Sequence, residues 1–315
     1  MDTLFTLAYE IGSLYIIVAI GWIIRRKGLI SEQGQRSFTT LLLYIALPCL
    51  IISSMHMPFQ YEQAYGALIM FVLSIYIMGG TLFVSRFITK KLTLPVNRSA
   101  VFENVILFGN QGFIGMVIIL QLFGQEGVLF ASVFNLIYYV LMWTYAIYIM
   151  NPEGLPVSKT MFILKNPGFL ATIAGFILFI FPVQFPAFIM DPIATIGQMT
   201  VPLSMIMIGM MISTVTYAKV LAYMKDIFVY IAVMIRLFIY PIVFFLPLLL
   251  FKLPFELFMI ACLLSATPSP ATISMYAQVY GGDMEFSAVV VFFSTLLSVV
   301  SIPIVYLVFL IFTAS

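Results

Sequence analysis

The chain has 315 residues, 63% of them apolar and 8% charged, with a mean hydropathy of +1.16 and a formal net charge of +2. That composition excludes an ordinary soluble protein and indicates an integral membrane protein. The basic residues are scattered through short connections between apolar runs, which argues against a nucleic-acid surface.

A hydrocarbon core of about 30 Å needs roughly 20 apolar residues of helix. Ten such runs occur, at roughly 5–24, 37–57, 65–86, 97–122, 127–150, 166–182, 190–214, 226–250, 254–279 and 285–312. Arg25, Arg26 and Lys27 follow the first run rather than precede it, so it is expected to be an uncleaved span. The second run carries Pro48 and the seventh Pro202, and a helix break is expected near each. The fourth is cut by Gly109-Asn110-Gln111-Gly112 and the ninth by Thr267-Pro268-Ser269-Pro270. The longest polar connection, punctuated by Pro152, Gly154 and Pro156, separates five runs from five. The expected division is a first repeat at 1–150, a cytoplasmic linker at 151–165 and a second repeat at 166–315.

Twelve of the fourteen Lys and Arg residues fall in odd-numbered loops: Arg25, Arg26, Lys27, Arg36, Arg86, Lys90, Lys91, Arg98, Lys159, Lys165, Lys219 and Lys225. The positive-inside rule places those loops in the cytoplasm and both termini outside the cell membrane. Five is odd, so the second half enters the bilayer from the opposite face. The expected fold is therefore all-α, with ten transmembrane helices in two inverted five-helix repeats. Aligning Gln121 with Gln278 gives an offset of 157 residues, which sets the Gly/Asn/Gln break opposite the Thr/Pro/Ser break.

Interrupted helices at matching places in two halves point to the substrate site of a secondary transporter. Lipid cannot satisfy opened backbone, which must be buried in protein or line a wet cavity. If the fourth and ninth helices cross at their breaks, two helix amino termini meet there and favour an anion. Asn110, Gln111, Gly112, Thr267, Pro268, Ser269 and Pro270 would line that site, with Asn135 on the fifth span. The bland alternative makes Gly109, Gly112 and Gly115 a close-packing face and the prolines ordinary kinks.

Arg236 lies in the eighth span, where a charge requires a partner. It is either a counter-ion for a substrate carboxylate or for Glu103, or it snorkels to headgroups. Glu103, followed by Asn104, carries a coupling proton, forms a fixed ion pair or faces the cytoplasmic entrance. Glu10 and Glu256 sit near span ends, where interfacial solvation suffices. Cys49 and Cys262 lie in apolar runs, and His56 is the sole histidine, so neither a disulfide framework nor a histidine metal cluster is expected. A phosphate-binding Gly-x4-Gly-Lys motif is absent as well.

The runs Asn110-Gln111-Gly112-Phe113-Ile114-Gly115, Pro202-Leu203-Ser204-Met205 through Gly209, and Thr267-Pro268-Ser269-Pro270-Ala271 ahead of Tyr280-Gly281-Gly282-Asp283 resemble the auxin efflux carrier family. That family includes PIN-type exporters and bacterial malate/malonate permeases. Lys165-Asn166-Pro167 and Ser294-Thr295-Leu296-Leu297-Ser298 are similar to its bacterial members. The resemblance implies a scaffold and a transport domain drawing helices from both repeats, broken crossing helices 4 and 9, small organic anions as substrates, elevator-like movement and a homodimer. One departure is Gly115-Met116-Val117, where the family often has a proline, so glycine alone would break the fourth helix.

The expected function is therefore a secondary transporter of a small organic anion, auxin-like or dicarboxylate. It would need no cofactor beyond a coupling proton or sodium ion, and lipid would be its other partner. A non-transporting membrane sensor is the alternative. An intramembrane enzyme is a weaker one, because no acidic pair with metal-binding spacing and no usable histidine base is present.

Overall fold

A computed structural model describes residues 15–56, 60–151, 167–181, 185–214, 221, 223 and 225–314. The linker beyond Asn151, with Lys159 and Lys165, lies outside these residues, as do Glu10, Asn166 and Lys219. Among the described residues the regular structure is entirely helical. The helices are α1 (15–26), α2 (Glu32–Met55), α3 (Tyr61–Lys91), α4 (Val96–Leu107), α5 (Met116–Trp143), α6 (Tyr145–Met150) and α7 (Pro167–Ile180). After these come α8 (Ala187–Gln198), α9 (Thr200–Thr214), α10 (Ile227–Phe251), α11 (Phe255–Ser265), α12 (Thr272–Tyr280) and α13 (Met284–Ala314).

Described helical residues fall in every one of the expected apolar runs. Among the described residues, six stretches are long and apolar enough to cross a membrane: Glu32–Met55, Tyr61–Lys91, Val96–Met150, Ala187–Ser213, Ile227–Phe251 and Met284–Thr313. The third of these, 55 residues long, is interrupted at 108–110, at Gly124 and at Thr144. Large apolar side chains such as Leu68, Val72, Phe83 and Phe87 stand exposed along α3, as expected of a face that meets lipid. By contrast, α4 from Val101 and α11 from Leu257 are buried on all sides. A helix that is apolar all round belongs in the middle of a bundle, and that position keeps the two broken helices away from lipid.

Local chemistry sets the helix ends. The Ser31 hydroxyl accepts the Gly34 N–H at 3.1 Å to cap α2, and Asp226 caps α10 by accepting the Phe228 N–H at 3.0 Å. Gly124 (φ 63°) and Gly281 (φ 78°) end the helical segments that follow the two breaks. They lie 157 residues apart, the offset found in the sequence, and each takes a backbone conformation that glycine adopts at least strain.

The break expected at Pro48 does not form. The helix runs through it, with a π turn at Leu42–Ala46 immediately upstream. Proline has no N–H to offer and its ring crowds the preceding turn; a widened turn makes room for it while the chain stays helical. Pro202 lies in the first turn of α9, just after the interruption at Met199. There its missing donor is not needed.

Candidate functional site

The backbone of the fourth run leaves the helix at Phe108, passes through Asn110 (φ −78°, ψ 56°) and re-enters through a π turn, Gln111–Gly115. That turn is closed by the Gly115 N–H on the Asn110 carbonyl at 3.0 Å. In the ninth run α11 ends at Ser265, and 267–270 are non-helical before α12. The two breaks touch. The Asn110 N–H donates to the Pro268 carbonyl at 2.6 Å, and the Ser269 hydroxyl donates to the Val105 carbonyl at 2.7 Å. Opened backbone from one helix is thus satisfied by the other, which removes the penalty of unpaired buried groups.

Close approach explains the glycines. A methyl group on Gly109 would lie well inside contact distance of Arg236 Nη2 and Thr267 Oγ1, and one on Gly115 would lie 2.8 Å from Leu264 Cδ2. Gly112 is different: its nearest neighbour would be the Tyr139 hydroxyl at 3.9 Å. Glycine without proline therefore breaks the fourth helix, and Gly109 is the residue on which the joint closes.

Arg236, only 2% exposed, points into this joint from a π turn in α10, Ile235–Ile239. Its Nε donates to the Thr267 carbonyl at 2.9 Å and its Nη1 to the Leu107 carbonyl at 3.3 Å, while Nη2 lies 3.5 Å from Thr267 Oγ1. Leu107 is the last residue of α4 and Thr267 follows the end of α11. One guanidinium therefore caps the carboxyl-terminal ends of both half-helices, where a cation is favoured. It does not snorkel, and its side chain does not pair with Glu103.

Glu103, 1% exposed, pairs instead with Arg86 Nη1 on α3 at 3.3 Å and accepts from the Tyr145 hydroxyl. The Asn104 side chain donates to the Ala146 carbonyl at 3.0 Å. Both residues thus tie α4 to the start of α6, apart from the joint. The Thr267 and Ser269 hydroxyl protons are likewise engaged, on the Leu264 and Val105 carbonyls, and the Ser269 N–H rests on Ser294 Oγ at 3.2 Å.

The polar groups of the π turn and of α5 that lack protein partners are others. Gln111 Oε1, both polar atoms of Asn135, the Ser132 hydroxyl and the Tyr139 hydroxyl are buried with no hydrogen-bond partner among the described residues. Ser132, Asn135 and Tyr139 share one face of α5 by their spacing of three and four, and Tyr139 aims at Gly112 of the π turn. The sequence reading names Asn135 and Gln111 but not Tyr139, which in an apolar run reads as packing; its spacing of four from Asn135 is the available signal. A cavity of about 20 Å³, lined by Tyr15, Val18, Ile114, Met205 and Thr295 among others, adjoins the π turn between α1 and α9 on one side and α5 and α13 on the other. The Tyr15 and Ser298 hydroxyls meet across the same boundary at 3.2 Å.

Comparison with known proteins adds to this geometry. The profile of a family described as "Membrane transport protein" matches residues 8–162 and 157–306. The chain is also 24% identical over 208 residues to an uncharacterised transporter of Methanocaldococcus jannaschii, an alignment covering 63% of this chain and 66% of that relative, just under two thirds of its length.

Proposed function

We propose that this chain, which belongs to the membrane transport protein family, is a secondary carrier that moves a small organic anion across the cytoplasmic membrane. In this reading the ten runs are ten spans in two inverted repeats, with both termini outside. The fourth and ninth helices cross at the joint, and the anion binds beside it. The observation that carries the reading is the Asn110 to Pro268 hydrogen bond. It joins the residue that opens the π turn to the non-helical stretch that leads into α12, and two helix amino termini brought together there would attract negative charge.

Asn110, Gln111 and Asn135 are the proposed direct ligands, with Gly112 giving the solute room. Thr267, Pro268, Ser269 and Pro270 shape the wall. A carboxylate, whether auxin-like or a dicarboxylate, suits the donors. The cavity of about 20 Å³ holds no more than one water molecule, so access requires α1 and α9 to move relative to α5 and α13. Alternating access by a transport unit sliding against a scaffold would supply that movement. A proton or sodium ion is the proposed coupling ion, the sodium held by backbone carbonyls opened at the breaks, and a homodimer is the proposed assembly.

The test is carboxylate-induced thermal stabilisation of purified protein, followed by counterflow in proteoliposomes. Asn110→Ala is expected to lose the ligand-induced shift while the unliganded protein remains folded. An unchanged shift would remove the joint from the mechanism, and binding without flux would make the chain a sensor.

A further inference from the structure

Arg236 carries a full positive charge into the middle of the protein, and among the described residues no carboxylate lies within ion-pair distance of it. Glu103, the buried acid nearest in sequence to the fourth-run break, is matched by Arg86. The ends of α4 and α11 and the start of the π turn meet at Arg236 and the Asn110–Pro268 bond, and residues 268–271 lead from there to a fourth half-helix end, the start of α12. Each carries roughly half an elementary charge, negative at the ends of α4 and α11 and positive at the starts of the π turn and α12. These four contributions cancel, which leaves the charge of Arg236. Its guanidinium packs against Gly109, one residue before Asn110, so the surplus sits at the proposed binding position and not at a distant wall.

We propose that Arg236 sets the charge of the solute: the joint is balanced by one negative charge, and the preferred substrate is a monoanion rather than a dianion. This rests on the carrier reading above. A monocarboxylate beside Asn110 brings the buried ensemble to neutrality. A second carboxylate would leave an uncompensated charge in a desolvated site, which is costly, and the unpartnered groups on α5 offer it only neutral hydroxyl and amide partners. Arg236 acts through the field and by holding the two carboxyl-terminal half-helix ends, so it is a positioning residue that does not touch the solute. The unpartnered Tyr139 hydroxyl and Asn135 amide supply the neutral hydrogen bonds that orient it.

The experiment compares lactate and butyrate with malonate and malate, all at neutral pH where the latter two are doubly charged, using the full chain in proteoliposomes with counterflow and in detergent with thermal shift. The expected result is binding of the monocarboxylates at least about tenfold tighter than of dicarboxylates of similar length. Arg236→Lys keeps the charge but not the planar fork; it should keep the ranking at reduced thermal stability. Arg236→Gln, if its unfolding transition remains cooperative, should bind monocarboxylates at least tenfold more weakly and lose the ranking. Should Arg236→Gln fail to fold, the wild-type and Arg236→Lys rankings decide. Dianions bound as well as or better than monoanions by the wild type would overturn the proposal while leaving the carrier reading intact. Failure of every carboxylate to bind would overturn that reading itself.

Discussion

The backbone N–H of Asn110 donates to the backbone carbonyl of Pro268, 158 residues further along the chain, at 2.6 Å. A main-chain bond between two interrupted helices fixes their relative position more firmly than side chains could, because neither partner has a rotamer to change. It makes each break the support of the other. Disturbing one side should therefore damage both, and the glycines show where disturbance is least tolerated.

Gly109→Ala is expected to destabilise the protein by about 1–3 kcal/mol, the usual range for overpacking, because its methyl group would displace the buried Arg236 fork and Thr267. Gly112→Ala meets only the Tyr139 hydroxyl at 3.9 Å and should remain within about 1 kcal/mol of wild type. Thermal unfolding in detergent of the two variants side by side checks the contrast.

A second pair of glycines joins α1 to α9. Methyl groups on Gly21 and Gly209 would run into the backbone carbonyls of Ile206 and Val18, which cannot rotate away. Gly209→Ala should therefore cost at least the upper end of the same range, about 3 kcal/mol. Gly79→Ala in α3 has nothing within 4 Å and should gain up to about 1 kcal/mol of helix propensity. Folded yield and midpoint temperature distinguish them.

Arg98 fastens three segments. It donates to Asp283 at 2.8 Å and to Asp226 at 2.7 Å, while Asp283 and Asp226 cap α13 and α10 through the N–H groups of Phe286 and Phe228. Arg98→Ala leaves two neighbouring carboxylates without their cation and is expected to cost about 2–3 kcal/mol. Arg98→Lys should restore part of that, since an ammonium reaches one carboxylate but lacks the two-sided fork. Chemical denaturation of the three proteins orders them.

Both carboxylate oxygens of Glu103 are engaged, one by Arg86 and one by Tyr145. Glu103→Gln keeps an acceptor for the Tyr145 hydroxyl and loses an ion pair whose Arg86 side chain is half exposed, so the expected loss is about 1 kcal/mol or less. Any dependence of flux on an imposed proton gradient should survive the substitution. Loss of that dependence in flux measurements would instead mark Glu103 as the coupling carboxylate.

What the sequence made legible follows from what leaves a local signature. Glycine and proline punctuate a helix wherever they stand, so the breaks at Gly109 and at Thr267–Pro270, and the equivalence of Gly124 with Gly281, could be found by spacing alone. The partners of Arg236 could not, because carbonyls at the ends of two other helices have no residue type to announce them. Arg86 was equally hidden as the mate of Glu103: it lies in a juxtamembrane cluster that the charge pattern assigns to topology. At Pro48 the residue was visible, but the response of the chain, a π turn in place of a break, depends on what packs around it.

Asn135 gives the sharpest separation of binding from folding. Its amide makes no hydrogen bond to protein among the described residues although it is fully buried, and the Tyr139 hydroxyl one turn on is in the same condition. Removing a polar group that has no protein partner forfeits no protein hydrogen bond and relieves a desolvation penalty. Asn135→Ala trades that relief against a small lost volume, and Tyr139→Phe keeps the ring. Both are expected to leave thermal stability within about 1 kcal/mol of wild type or to raise it, as happens where function is bought with stability. The same variants should bind carboxylate at least about tenfold more weakly, the worth of one lost hydrogen bond to a charged group. Parallel midpoint and ligand-shift measurements test both halves: a destabilised variant with unchanged affinity would mean that these polar groups serve the fold, and that the solute rests elsewhere on the joint.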